Sequence, residues 1–214
     1  GSIGFYGSTL NTRQYATKGY LEKLIAQVFT GRERFEPGNP QEGYSPSPQE
    51  RQSWLQISYM KEAYHTMGPK FTLGWMAEAL YSSKNFSENY TATMMQAGEF
   101  APTPHSKLMY NEAFRANQYV AAGIKPIYVL NDMFQFRTEF YGFTPIFPIK
   151  KNALNKAYYG KAFSRFEYMG EVSVICHLPF GAISAYVNHY SSPRREWNVG
   201  MTIGWQLFNY RFVE

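Results

Sequence analysis

From residue 162 to residue 178, polar and apolar positions alternate. Ala162, Phe166, Tyr168, Val172, Val174, Cys176 and Leu178 share one parity; Arg165, Glu167, Glu171, Ser173 and His177 share the other. A side-chain period of two belongs to a β-strand, where residues i and i+2 line one face. After a turn at Pro179-Phe180-Gly181 the alternation resumes, with Ile183, Ala185 and Val187 set against Ser184, Tyr186 and Asn188. It returns a third time, with Trp197, Val199, Met201, Ile203, Trp205 and Leu207 against Glu196, Asn198, Thr202 and Gln206. Three consecutive strands of this length form an antiparallel meander.

The same reading, carried back along the chain, predicts six more strands at residues 3–8, 20–30, 52–65, 70–82, 118–130 and 133–143. In the last of these Phe134, Phe136 and Phe140 oppose Gln135, Arg137, Glu139 and Tyr141. Pro126 has no backbone donor, so its strand is expected to bulge or pair weakly there. The expected fold class is all-β: an antiparallel up-and-down meander, part of a transmembrane β-barrel, with residues 1–214 as a single barrel domain.

The connections carry a second pattern. The long ones, at residues 31–51, 84–116 and 144–160, fall at alternate positions. In a meander, alternate connections lie at the same end, so the long loops share one end and the tight turns the other. Outer-membrane barrels have this asymmetry, and the strands are near the roughly 9–11 residues that a tilted spanning strand needs. Nine strands put the termini at opposite ends, whereas exported bacterial barrels have even strand numbers. The chain is therefore expected to be the C-terminal part of a larger barrel-containing protein, closed by missing strands or by another chain.

Alternation does not say which way the sheet is turned. The apolar face could meet lipid, or it could line a soluble β-barrel or sandwich that binds a hydrophobic ligand. The side taken by Phe134, Phe136, Phe140, Val199, Ile203 and Trp205 separates the two.

Composition narrows the chemistry. No run of about 18 apolar residues is present, so no transmembrane helix is expected. The mean hydropathy of −0.42 does not argue against a barrel, whose interior and loops are polar. Aromatic residues make up 18% of the chain. Tyr81, Tyr158, Tyr159, Tyr190, Trp197 and Tyr210 lie near strand ends, where an interfacial girdle would need them. The single Cys176 leaves no internal disulfide and no cysteine-rich metal site. His65, His105, His177 and His189 lack ligand spacing, and Gly-x-Ser-x-Gly and phosphate-binding glycine loops are absent from the sequence. No catalytic residue, metal or cofactor is expected in this chain, and Ser184 reads as an ordinary lumen residue. The net charge of +5 gathers at Lys150, Lys151, Lys156 and Lys161 and at Arg194-Arg195. These loops lie on the long-loop side, where lipopolysaccharide phosphates are the expected partner. No nucleic-acid module interleaves them, so no nucleic acid is expected.

Three stretches carry a resemblance. Residues 11–19, Asn-Thr-Arg-Gln-Tyr-Ala-Thr-Lys-Gly, look like a hairpin signature of polar residues followed by aromatic-Pro-Thr-x-Gly, with Ala16 in place of the proline. Phe114-Arg115-Ala116-Asn117 sits where a Val/Ile-Arg-Gly-Phe/Tyr loop motif would be, with Ala116 for glycine and Asn117 for the aromatic. The third stretch is the tail, from Gly181 through Trp197 to Asn209. Together they resemble the bacterial surface antigen (BamA-like) outer-membrane β-barrel superfamily, and within it the C-terminal barrels of patatin-like phospholipases. The resemblance implies an outer-membrane location in a Gram-negative bacterium, surrounded by outer-membrane lipid and lipopolysaccharide. It implies a barrel that anchors or translocates a fused N-terminal domain, here a lipid acyl hydrolase whose active site lies upstream. It also implies that the longest loop folds into the lumen, with Arg115 paired to an acidic residue of the wall. Glu139, Glu167 and Glu171 are the candidates, and Arg137 and Arg165 are rival partners for them.

Overall fold

The computed structural model describes residues 1–12, 14–33, 50–179, 181–192 and 197–205, with the backbone alone at Glu50 and Trp205. The strands are β1 (Ser2–Ser8), β2 (Gly19–Glu33), β3 (Glu50–Thr66), β4 (Phe71–Ser82), β5 (Gly98–Glu99), β6 (Arg115–Ala116), β7 (Gln118–Val129), β8 (Phe134–Pro145), β9 (Ile149–Lys151), β10 (Ala157–Tyr159), β11 (Glu167–Leu178), β12 (Gly181–Tyr190) and β13 (Trp197–Trp205). One helix, α1 (Tyr90–Gln96), and two 3₁₀ turns, Ser106–Leu108 and Glu112–Phe114, interrupt the longest connection.

The chain is all-β. Nine strands form one sheet in the order β1-β2-β3-β4-β7-β8-β11-β12-β13. Every pairing within it is antiparallel. Each strand inferred from alternation is present. Among the described residues, β1 and β13 remain as edges, so the sheet is an open meander that matches part of a barrel. It is strongly curled. Tyr15, from the connection after β1, bonds Ser184 on β12 at 2.8 Å. In a flat sheet β2 and β12, six steps apart, would be separated by about 29 Å.

The faces are turned one way throughout. Phe134, Phe136 and Phe140 are exposed on β8, and so are Val199, Met201 and Ile203 on β13. On β11, Val172 and Val174 are 53% and 39% exposed, while Glu171 and Ser173 are 3% and 2%. Apolar side chains therefore cover the convex side, and the concave side buries charged and polar side chains together with a cluster that includes Met76, Leu80, Phe143 and Met169. A soluble barrel with an apolar interior needs the opposite arrangement. Trp205, the remaining residue of that test, has its side chain outside the described residues. Tyr190 also departs from expectation. It is buried on the concave side, where its ring meets Phe114 edge-on at 5.9 Å, because its parity is that of Ser184 and Asn188. Tyr81, Tyr158, Tyr159 and Trp197 are exposed, as a girdle requires; Tyr210 lies outside the described residues.

Tyrosines lie over glycines on the concave wall. Tyr64, Tyr141 and Tyr186 stand directly opposite Gly74, Gly123 and Gly200 on neighbouring strands. A Cβ at Gly123 would collide with the Tyr141 ring and come within 2.7 Å of the Phe140 carbonyl oxygen. The missing side chain lets the ring lie flat against the wall.

Pro126 weakens a pairing without a bulge. The β7–β8 register runs through Ile124↔Phe140 and resumes at Ile127↔Arg137. Two residues are skipped on each strand, so no extra residue is inserted. Alternation at 162–166 does not become strand. Phe163 adopts a φ of 52°, and its N–H bonds the Ile146 carbonyl at 2.9 Å. The β8–β11 connection therefore folds as the small β9–β10 hairpin, and β11 starts only at Glu167.

Candidate functional site

The concave side holds two connections that enter from opposite ends. Residues 83–117 enter from the long-loop end. Helix α1 starts them, with Asn89 accepting from the Ala92 N–H at 2.8 Å as an N-cap. Phe100 and Phe114 then bury against Tyr119, Phe143, Met169 and Tyr190 of the wall. Phe100 stacks on Phe143 with ring centroids 5.9 Å apart. Residues 9–18 enter from the short-turn end, where Ala16 is 2% exposed.

The wall between them is ionised and paired. Lys125 Nζ donates to Glu62 Oε1 at 2.8 Å. Arg137 Nε donates to Glu139 Oε1 at 3.0 Å, and Tyr141 Oη to Glu139 Oε2 at 2.6 Å. Arg137 also holds the short-turn connection, since its Nη1 donates to the Ala16 carbonyl at 2.9 Å. Gln135 Nε2 reaches the Tyr15 carbonyl at 3.2 Å. A buried charge is tolerated only when paired and hydrogen-bonded, and these are. Burial also lifts the Tyr15 hydroxyl above its ordinary pKa, against a smaller lowering by its Ser184 bond.

All three candidate carboxylates are buried, on the side their parity required. Arg115 meets none of them. It pairs with Glu99 at 2.5 Å and donates to the carbonyls of Met95 and Ala97 at the end of α1, at 3.1 and 3.2 Å. The reason is local: the β5–β6 register sets Glu99 directly opposite Arg115, and a cross-strand neighbour outcompetes a distant carboxylate. Glu139 belongs to Arg137. Glu167 lies 3.5 Å from Arg165 and accepts from Ser191 at 2.5 Å. In both pairs the rival arginine stands two residues before its carboxylate in the chain. Phe114 is core. Ala116 pairs with Gly98. Asn117 Nδ2 donates to the Lys84 carbonyl at 3.2 Å and to Tyr159 Oη at 3.1 Å.

The third carboxylate, Glu171, has partners that no spacing announced. His105 Nδ1 lies 2.8 Å from Glu171 Oε1, and Thr103 Oγ1 donates to Glu171 Oε2 at 3.2 Å. His105 Nε2 lies 3.3 Å from Ser184 Oγ. His105 is 66 residues from Glu171 in the chain. The one sequence signal nearby is the Pro102-Thr103-Pro104 run, which breaks the loop without revealing where it goes. Among the described residues, no group of three or more His, Cys, Asp or Glu side chains could hold a metal ion.

Lys150, Lys151, Lys156 and Lys161 are exposed at the long-loop end; Arg194 and Arg195 lie outside the described residues. Among the described residues, no helix is long and apolar enough to cross a membrane, which leaves crossing by strands open. Comparison with protein-family models, with characterised proteins and with solved structures gives no match. The likeness to surface-antigen and patatin-fused barrels rests on the residues quoted above.

Proposed function

We propose that this chain forms part of the wall of an outer-membrane β-barrel in a Gram-negative bacterium. One observation carries the reading: apolar side chains face outward along the sheet, while Lys125, Arg137, Glu139, Glu167 and Glu171 are buried inside its curl. In water, such a surface would leave more contiguous apolar area exposed than a soluble monomer tolerates. In hydrocarbon it needs no further cover, because the interior strands pair their backbone groups in the ladder. The exposed lysines at the long-loop end suit lipopolysaccharide phosphates. The two inward connections make the barrel a plugged one.

The barrel's role in this reading is to anchor or pass a fused N-terminal domain, and the tail resemblance favours a patatin-like lipid acyl hydrolase. Strands beyond β1 and β13, from the same protein or another chain, would close the wall. The test is depth-resolved quenching in vesicles by nitroxide-labelled lipid. Fluorophores are attached to single cysteines at Val172, Val199 and Ser173, in a protein with Cys176→Ser. Strong quenching at 172 and 199 with little at 173 is expected. Equal quenching at all three, or a folded monomer that stays out of the vesicles, overturns the reading. The full-length gene product tests the branch: a Gly-x-Ser-x-Gly elbow upstream is expected.

A further inference from the structure

We propose that Ser184 is a capped nucleophile, with His105 as its general base, Glu171 orienting that base, and acyl esters as the substrate class. The three residues come from β12, the long connection and β11. Glu171 Oε1 lies 2.8 Å from His105 Nδ1, and His105 Nε2 lies 3.3 Å from Ser184 Oγ. All three are at most 3% exposed. The chain of donors closes in one direction. The Glu171 carboxylate accepts, so it holds the imidazole proton on Nδ1 and leaves Nε2 to accept from the Ser184 hydroxyl. Thr103 Oγ1 fixes the second oxygen of Glu171 at 3.2 Å. Tyr186 stacks on the imidazole, with centroids 3.4 Å apart and planes 16° from parallel, and sets its tilt.

A hydroxyl within reach of a base, with the base oriented by a third group, is the general form of an activated nucleophile. It is recognised by geometry and not by chain order or motif. Here no glycine elbow presents the serine; the pleat of β12 points it inward instead. In the reaction Ser184 Oγ bonds to the ester carbonyl carbon as its proton passes to His105 Nε2. That proton leaves with the alcohol as the ester bond breaks. His105 then takes a proton from water, whose oxygen attacks the acyl-serine, and returns it to Ser184 Oγ as the acyl–oxygen bond breaks and the acid is freed.

The cap is Tyr15. Its Oη donates to Ser184 Oγ at 2.8 Å, which ties up a lone pair of the nucleophile and covers it from the short-turn end. Tyr15 has a φ of 56°, a conformation glycine takes at no steric cost. Tyr15→Gly therefore uncaps the serine without backbone strain. The arrangement departs from the expectation that this chain carries no chemistry, and it holds whether or not the sheet spans a membrane.

The experiment treats the full-length protein in mild detergent with an alkyl fluorophosphonate and locates the adduct by peptide mass spectrometry. Tyr15→Gly is expected to label at Ser184 about tenfold faster than wild type. Adding His105→Phe, which keeps a ring on Tyr186, is expected to slow that labelling about a hundredfold. Adding Ser184→Ala is expected to abolish it. No Ser184 adduct in Tyr15→Gly, or one whose rate ignores His105→Phe, overturns the proposal. If Tyr15→Gly does not fold, Tyr15→Phe keeps the ring and frees the lone pair. A several-fold gain there supports the proposal, and no gain overturns it.

Discussion

Tyr15 and Ser184 stand 169 positions apart in the chain, and the Tyr15 hydroxyl donates to Ser184 Oγ at 2.8 Å. The bond joins the first connection of the sheet to the strand next to its far edge. It exists because the meander curls far enough for the connection after β1 to reach β12.

Burial of Tyr15 gives the fold a pH dependence of definite sign. Burial, the largest cause, raises the Tyr15 pKa above the ordinary tyrosine value of 10.0. A raised pKa means the fold favours the neutral phenol. The stabilisation is complete below about pH 10 and is lost as pH rises through the folded value. Wild type is therefore expected to lose more stability than Tyr15→Phe between about pH 8 and about pH 11. Urea midpoints at the two pH values measure the difference.

Arg137 serves Glu139, the Ala16 carbonyl and Tyr64 Oη at once. Arg137→Met leaves buried Glu139 without its guanidinium, with the Tyr141 hydroxyl still bonded to it, and is expected to cost about 3 kcal/mol. Adding Glu139→Leu should recover a large part of the loss, since replacing both members of a buried pair is often close to neutral. Denaturant midpoints of the single and double variants check the order.

Arg115 answers to Glu99, so the coupling between those two should be measurable. A double-mutant cycle of Arg115→Ala with Glu99→Ala is expected to show an interaction energy of about 0.5 kcal/mol or more. The cycle of Arg115→Ala with Glu171→Ala should show none. Stronger coupling in the Glu171 cycle would restore the wall pairing that the family resemblance implies.

Gly123 should tolerate no side chain. Gly123→Ala sets a methyl against the Tyr141 ring and the Phe140 carbonyl, and the overpacking is expected to cost about 1–3 kcal/mol. Gly31 is a control, because a methyl added there would meet nothing within 4 Å; Gly31→Ala should be neutral or slightly stabilising. Thermal midpoints of the two variants separate packing from general loss of backbone freedom.

Outward apolar positions should resist charge. In a bilayer, Val172→Arg near mid-strand is expected to cost about 2–4 kcal/mol. Refolding yield into vesicles against urea reads the loss, and a neutral result would count against lipid contact at Val172.

The strands are legible in the sequence because a period of two follows from the pleat, and a sheet with unlike faces imposes it on every member. The limits of legibility have physical causes. At residues 162–166 the parity continues by chance through a turn that a left-handed Phe163 closes. The orientation of the sheet is invisible in the pattern, since the same alternation serves a wall turned either way. Only burial at Glu171 against exposure at Val172 resolves it. Arg115 illustrates another limit. Its motif points to a distant carboxylate, while a two-residue ladder supplies a near one. His105 has no signature because its partners depend on where an irregular loop comes to rest, and no periodicity encodes that.

The interruption at Pro126 loosens the seam between two panels of the sheet over two residues on each strand. Lys125 is tied to Glu62 on β3, within one panel, and Arg137 to Glu139 on β8, within the other. Flexing of that seam would spare either ion pair while loading the bond from Arg137 Nη2 to Tyr64 Oη, which crosses from one panel to the other. Within the β7–β8 ladder, opening would begin there, and amide exchange should be fastest beside that proline.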